Sequence, residues 1–363
     1  MTLIALNHIL NDLSKEGKIF FYGSTALSYY FKKSNVKFIR VLTSLNIADI
    51  GKVISNLSFS KDYYFDCYLE LDNGIIATFL TNEIQEKNDY KYLYNVLTEY
   101  QSNPLLNFTY SLNKDKYYLL NDSYYDFLKS KILNINSLSN INIEDLLDLS
   151  LISSELDIKI NLDNNELLNN NIFENIYIKK YLPFLELVLT SKNPYNSLVF
   201  LNNVGLLRSL FPFINDLTGI QQDRSLHPEG DVFDHTIHSF RFLKNPSLKL
   251  AYGLLLHDYG KKFFMNHKNF REHSSLGAKK VAELLKPYGY SNDFINDVKF
   301  LVEYHMVNSY FYRLPDIHKK EMFDNDLGVD LMKLFKADTL GSIGKLDNYY
   351  DIVSKLKKIS KLY

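Results

Sequence analysis

The chain has 363 residues, with 41 Lys and Arg against 42 Asp and Glu, nine His, one Cys and no Trp. A formal net charge of -1 excludes a generally cationic nucleic-acid coat, and the single cysteine, Cys67, excludes an internal disulfide framework and a cysteine-only metal site. With 46% hydrophobic and 23% charged residues the chain reads as globular, and its length suits two or three domains. No stretch approaches the roughly 18 apolar residues of a membrane span. Asn7, His8, Asn11 and Asp12 break up the N-terminal apolar residues, so no secretion signal, no membrane partner and a cytoplasmic location are expected.

Leu3, Leu6, Ile9, Leu10 and Leu13 recur at helical spacing, and Gly17 stops that helix. Lys18 to Tyr22 is a short apolar run. Gly23-Ser24-Thr25 follows it, and Ala26 to Phe31 reads as a second helix. Val36–Leu42 and Tyr63–Leu71 look like strands, with Asp72-Asn73-Gly74 turning into a strand over Ile75–Leu80. A mixed α and β region therefore ends near residue 125. Residues 126–222 carry almost no strand signal and read as short helices, and residues 223–363 read as helical throughout. Gly260, Gly277, Gly289, Pro287 and Pro315 punctuate those helices. The fold class expected is α+β, with domains at 1–125, 126–222 and 223–363.

Eight of the nine histidines lie between His227 and His318. The strongest motif is Leu254-Leu255-Leu256-His257-Asp258-Tyr259-Gly260-Lys261, an apolar helix ending in a His-Asp pair, with Gly260 expected to let the chain turn out of the helix. Neighbours on a helix point about 100° apart, so both reach one ion only where the helix ends. His235 precedes the pair; His273, His305 and Asp338 follow it on successive predicted helices. A bundle pointing these residues inward holds one or two divalent ions through nitrogen and oxygen ligands, with Mn, Ni, Co, Fe, Zn or Mg all compatible. His227, His238, His267 and His318 are expected as caps, surface groups or substrate contacts.

Leu226-His227-Pro228-Glu229-Gly230-Asp231-Val232-Phe233-Asp234-His235-Thr236, then His257-Asp258, His273 and His305-Met306, closely resembles the HD domain of bacterial CCA-adding enzymes, tRNA nucleotidyltransferases of the poly(A) polymerase family. HD domains are helical, metal-dependent phosphohydrolases. The resemblance implies His235, His257, Asp258 and Asp338 as ligands of a main ion. His273 and His305 would hold a second ion or position phosphate, and Asp258, Lys261, His273 and His305 would form the catalytic set. Lys261, Lys268 and Arg271 would contact the substrate and offset oxyanion charge. In the nucleotidyltransferases this domain acts on 2′-phosphate and 2′,3′-cyclic phosphate. Gly205 to Pro212 and Gly219-Ile220-Gln221-Gln222 look like the segment joining the family's neck to its HD domain.

The likeness continues into the head, where the family's chemistry is missing. Phe21 to Leu27 resembles the Gly-Gly-x-x-Arg-Asp loop, but Ala26-Leu27 stands for its Arg-Asp. Phe38 to Ser44 resembles the Asp-x-Asp strand, but Phe38 and Arg40 stand for the two Asp, and Ile75 stands for a third carboxylate. Glu144-Asp145 matches the start of the Glu-Asp-x-x-Arg nucleotide-reading motif, with Asp148 in place of its Arg. The expected protein is a metal-dependent phosphohydrolase acting on nucleotides or RNA-end phosphates, including 2′,3′-cyclic phosphate, carried beside a catalytically dead nucleotidyltransferase-like head. An active tRNA nucleotidyltransferase and a non-enzymatic RNA-binding or regulatory protein are the alternatives. Seven acids and one base over 141–172 disfavour tRNA as a partner. The basic clusters Lys32-Lys33-Lys37-Arg40 and Lys355-Lys357-Lys358-Lys361 read as solvated faces, and Tyr29, Tyr30, Tyr117 and Tyr118 as core rather than stacking platforms.

Overall fold

The computed structural model describes residues 3–32, 38–59, 66–70, 76–83, 85–99, 104–121, 123–135, 141–162, 178–264, 272–342 and 344–360. Lys33, Val36, Lys37, Asp62, the 72–74 turn, Ile75, Asp163, Glu166, His267, Lys268, Arg271 and Lys361 lie outside the described residues. The protein is α+β and divides into two compact units, 1–169 and 170–363. The stretch 126–222 is shared between them.

The first unit is built on a mixed sheet. Its strands are β1 (Ile19–Tyr22), β2 (Phe38–Thr43), β3 (Ser58–Phe59), β4 (Cys67–Glu70), β5 (Ile76–Thr81), β6 (Phe108–Ser111) and β7 (Lys116–Leu119). Strands β1 and β2 are buried on both faces, as continuous apolar runs require. They sit at the centre of the order β3-β4-β5-β2-β1-β6-β7. Only β2 and β5 run parallel, with Arg40 opposite Thr78; the remaining pairs are antiparallel. The helices are α1 (Leu3–Glu16), α2 (Gly23–Tyr30), α3 (Ile47–Val53), α4 (Asp89–Glu99), α5 (Ser123–Ser130) and α6 (Ile143–Leu156). Leu6, Leu10 and Leu13 of α1 are buried at the expected spacing. Gly23 starts α2 with φ +59°, and a Cβ there would lie 2.1 Å from Asp148 Oδ2. Glycine is required on both counts.

The segment expected to lack strands contains two. β8 (Ile132–Ile135) and β9 (Lys159–Leu162) pair in parallel, joined through α6. Four residues with a weak apolar alternation carry too little pattern to be read as strands, and their pairing depends on the helix between them.

α6 also corrects the reading of acidic surface charge. Of the seven acids counted over 141–172, Glu144, Asp145 and Asp148 are buried. Asp145 Oδ1 accepts from Arg40 Nη1 at 2.6 Å, and Asp148 Oδ2 lies 3.5 Å from the same nitrogen. The Arg40 guanidinium also lies over Tyr22, 4.5 Å from the ring centre. Two of the seven acids thus belong to an internal ion cluster and a third is buried, so the count overstates the negative charge that this stretch presents to a partner.

The second unit is helical: α7 (Ile178–Leu189), α8 (Pro194–Asn203), α9 (Leu207–Leu210), α10 (Val232–Ser239), α11 (Leu248–Leu256), α12 (His273–Leu285), α13 (Asn292–Tyr304), α14 (Val307–Tyr310), α15 (Asp316–Phe323), α16 (Asp326–Gly341) and α17 (Asp347–Leu356). Helix α11 is buried from Leu250 to Leu256, so it forms the centre of this unit. Gly260 has a different role from the one expected. The chain continues beyond His257-Asp258 as a 3-10 turn over Tyr259–Phe264. A Cβ on Gly260 would lie 1.8 Å from the His273 carbonyl oxygen. Gly260 is needed because the turn presses against the start of α12.

Candidate metal centre

Five helices, α10, α11, α12, α13 and α16, bring the predicted ligands together, and all but α12 are started by a short polar cap. Asp231 accepts from Phe233 N at the start of α10, Ser247 from Leu250 N at α11, Ser291 from Phe294 N at α13 and Asn325 from Gly328 N at α16. These caps set the phase that turns His235 inward on α10. His257 and His305 are the residues that close α11 and α13.

At both helix ends the imidazole is fixed in the same way. His257 Nδ1 lies 2.7 Å from the Leu254 carbonyl, and His305 Nδ1 lies 2.7 Å from the Val302 carbonyl. A carbonyl only accepts, so each Nδ1 carries a proton, and Nε2 is the nitrogen that can offer a lone pair to an ion. His257 Nε2 is buried and has no hydrogen-bond partner. It lies 3.3 Å from Asp258 Oδ2 and 3.7 Å from Asp338 Oδ1. His235 Nε2 lies 2.9 Å from Asp338 Oδ1 and 4.0 Å from Asp258 Oδ2.

The other oxygen of Asp258 faces a second group. Its Oδ1 lies 3.1 Å from His273 Nε2 and 4.0 Å from His305 Nε2, and the two imidazole nitrogens are 3.1 Å apart. Donors bound about 2.1 Å from one metal are about 3.0–3.5 Å from each other along the edges of a tetrahedron or octahedron. Each group has separations close to that spacing, at 2.9 and 3.3 Å in the first and 3.1 Å twice in the second, while its longer ones reach 4.0 Å. The donor set, imidazole nitrogen with carboxylate oxygen, also suits a divalent ion. The orphaned His257 nitrogen and the edge-length spacings show that these residues fit a metal.

The electrostatics agree. Burial opposes ionisation of Asp258, but the His257 and Lys261 charges outweigh it and hold its pKa well below the ordinary value. Asp338 is likewise held low against its burial by His235 and His257. Burial disfavours charge on His257, yet Asp258 and Asp338 raise its pKa to about 10. His305 behaves oppositely: burial, then the His273 and His257 charges, push it down to about 3. The first group thus concentrates negative charge that protons compensate, and a divalent cation satisfies the same demand.

Two residues without a role in the sequence reading support the ligands. Glu229 Oε1 lies 2.7 Å from His235 Nδ1, so the carboxylate sits on the side of the ring opposite Asp338. Gln222 Oε1 accepts from Lys261 Nζ at 2.6 Å, and Lys261 Nζ also donates to Asp258 Oδ2 at 2.7 Å. Glu229 and Gln222 both stand in stretches whose likeness to a family is readable, but only the folded chain shows what they touch. His227 also approaches, its Nδ1 3.3 Å from Glu229 Oε1. His238 stacks on Phe242, and exposed His318 pairs with Glu321.

A cavity of about 580 Å³ opens onto this centre, and Asp258, Lys261, His273, His305 and Asp338 all line it. Among the described residues, the His, Cys, Asp and Glu groups close enough to share an ion all lie in the second unit.

The family model of the HD domain matches residues 232–326. The HD-matching segment includes His235, His257, Asp258, His273 and His305. The whole chain also has the fold of solved nucleotidyltransferases. A CCA-adding enzyme complexed with ATP is 15% identical, with 98% of this chain and 84% of that one covered and a TM-score of 0.52. The Thermotoga maritima CCA-adding enzyme complexed with tRNA is 14% identical, with 98% and 83% covered and a TM-score of 0.51. A tRNA-processing enzyme is 11% identical, with 97% and 90% covered and a TM-score of 0.54. At these identities the likeness is one of fold. The fold is the one that the sequence resemblance implied, a nucleotidyltransferase-like α+β arrangement followed by the HD segment. No helix of the described residues is long and apolar enough to cross a membrane.

Proposed function

We propose that the protein is a metal-dependent phosphohydrolase of the HD type, acting on nucleotides or RNA-end phosphates, including 2′,3′-cyclic phosphate. The observation that carries this reading is the position of Asp258, whose two oxygens face two separate histidine groups at the wall of one cavity. His235, His257, Asp258 and Asp338 hold the main ion, and His273 and His305 hold a second ion or position the phosphate. A divalent ion bound there supplies a Lewis acid for phosphoryl oxygens and a water acidified toward neutral pH. Lys261, steadied by Gln222, offsets the charge that develops on the phosphoryl oxygens. Glu229 holds His235 in register. Lys268 and Arg271 remain proposed substrate contacts.

The test is a panel of nucleotide and RNA-end phosphoesters, supplied with Mn, Ni, Co or Mg. Hydrolysis by the wild type and its loss in Asp258→Ala are expected. A wild type that binds no metal and hydrolyses none of the panel would favour a non-enzymatic role instead.

The head carries a second part of the proposal, that it transfers no nucleotide. Buried Arg40, paired with Asp145 and Asp148, stands on the strand that resembles the family's carboxylate strand. A guanidinium offers no lone pair to a metal, so this position supplies no ligand for the cations that two-metal transfer requires. The rival reading, an active CCA-adding enzyme, is favoured by the fold shared with such enzymes over nearly the whole chain. Incorporation of labelled CTP or ATP into tRNA by the purified protein would establish the rival and remove the dead-head reading.

A further inference from the structure

The proposed metal and phosphate residues make up only part of the cavity lining. Its remaining wall includes Leu226, Met306 and Phe335, with Asn308, Lys345 and Asn348 in the same lining. Phe335 is buried, while Leu226 is 51% and Met306 38% exposed, although both are large and apolar. Such side chains facing a cavity gain from a flat apolar partner that removes them from water. Asn308 and Asn348 are exposed beside them, and each amide offers both donors and an acceptor. An apolar face to stack on and amides to meet polar edges are the features by which proteins hold an unpaired base. The cavity, at about 580 Å³, falls within the range of about 300–1,000 Å³ typical of small-molecule sites.

We propose that Leu226, Met306 and Phe335 form the seat of one unpaired nucleobase, so that the substrate is a nucleoside phosphate, free or at an unpaired RNA end, with its phosphate at Lys261. The proposal rests on the phosphohydrolase reading for its substrate, but the base seat itself can be measured without turnover. Leu226 and Met306 are the exposed apolar residues of this lining, and Lys345 and Asp347 stand in it with opposite charges.

The experiment uses the full chain as purified. Saturation-transfer NMR compares adenosine with ribose, and steady-state kinetics compare adenosine 3′-phosphate with base-free β-glycerophosphate. Saturation of the adenine protons is expected, with none on ribose. In Leu226→Ser and Met306→Ala, the ratio of kcat/KM for the nucleotide over β-glycerophosphate falls about tenfold, carried by KM, as loss of an apolar contact in a specificity pocket does. The adenosine signal weakens in parallel. Adenosine binding no better than ribose, or a signal unchanged in both variants, overturns the proposal. Adenosine binding that depends on Leu226 and Met306, with no hydrolysis of either phosphoester, upholds the base seat and sinks the phosphohydrolase reading instead.

Discussion

The Arg40 guanidinium lies 2.6 Å from Asp145 Oδ1, with both side chains buried. Strand β2 and helix α6 are thereby joined by a charge pair that spans more than a hundred residues of sequence. Asp148 shares the same guanidinium and also accepts from Ser24 N at 3.1 Å, which ties the start of α2 into the cluster. Burial, opposed by Arg40, raises the Asp148 pKa above its ordinary value. The one cation and two carboxylates thus stabilise each other and share a cost of desolvation.

Removing the cation should therefore be much worse than removing the whole cluster. Arg40→Ala leaves two buried carboxylates without their counter-charge, a change expected to cost about 3–5 kcal/mol. Replacing Arg40, Asp145 and Asp148 together by Met and Leu is expected to be near neutral, within about 1–2 kcal/mol of the wild type. Urea denaturation of the three proteins measures both. Equal destabilisation by the single and triple replacements would show that the cluster contributes by packing alone.

The same long separation explains what was and was not legible in the sequence. The order His235, His257-Asp258, His273, His305, Asp338 was readable because the apolar α11 run stops at the His-Asp pair and so marks a helix end. Helix ends are local features. Arg40, Asp145 and Asp148 were readable only as departures from a family's pattern, since no local rule pairs residues on β2 with residues on α6. The acid count over 141–172 misled for that reason. Glu229 was invisible in another way: its distance from His235 depends on the turn before α10, where Gly230 adopts φ +76°. The β8–β9 pair escaped because two four-residue strands become a sheet only once α6 has brought them together.

Acid should destabilise the first unit partly through Asp89. Burial opposes its ionisation, but hydrogen bonds from Lys18, Lys114 and Tyr118 together outweigh that and lower its pKa below the ordinary 3.8. A carboxylate with a lowered folded-state pKa contributes stability that is complete above the unfolded value. That contribution is lost as pH falls from about 3.8 through the lower folded value. Asp89→Asn should therefore be less stable than the wild type at neutral pH, and the gap should narrow through this window. Thermal melting from neutral to strongly acidic pH checks it. A gap independent of pH would remove the charge from the explanation.

Glu229 should matter for ion affinity more than for folding. Its carboxylate lies against the ring nitrogen of His235 that cannot face the ion. Partners of this kind orient the ligand, and their loss typically weakens metal binding by about 10–100-fold. Glu229→Ala should show that loss in a competition titration against a chromogenic chelator, with a melting temperature near that of the wild type after metal removal. Glu229→Gln keeps an acceptor oxygen and should lose less. Unchanged affinity in Glu229→Ala would mean that His235 is held by packing and by Asp338.

Asp258 makes the sharpest prediction, because its two oxygens face different groups. If each group holds an ion, loss of Asp258 should remove both, whereas loss of a residue from one group should remove only that group's ion. Wild type, Asp258→Asn, Asp338→Ala and His305→Ala, each dialysed against the same metal buffer, are compared by elemental analysis. Two ions per chain are expected in the wild type, none in Asp258→Asn and one in each of the others. The one kept by Asp338→Ala is bound by His273, His305 and Asp258, and the one kept by His305→Ala by His235, His257, Asp258 and Asp338. Because buried Asp258 and partly buried Asp338 are held ionised by their surroundings, chelation should also lower the melting temperature of the wild type and scarcely move that of Asp258→Asn. Two ions retained by a folded Asp258→Asn protein would show that its oxygens do not link the groups, and a wild type holding one ion would reduce the centre to a single group.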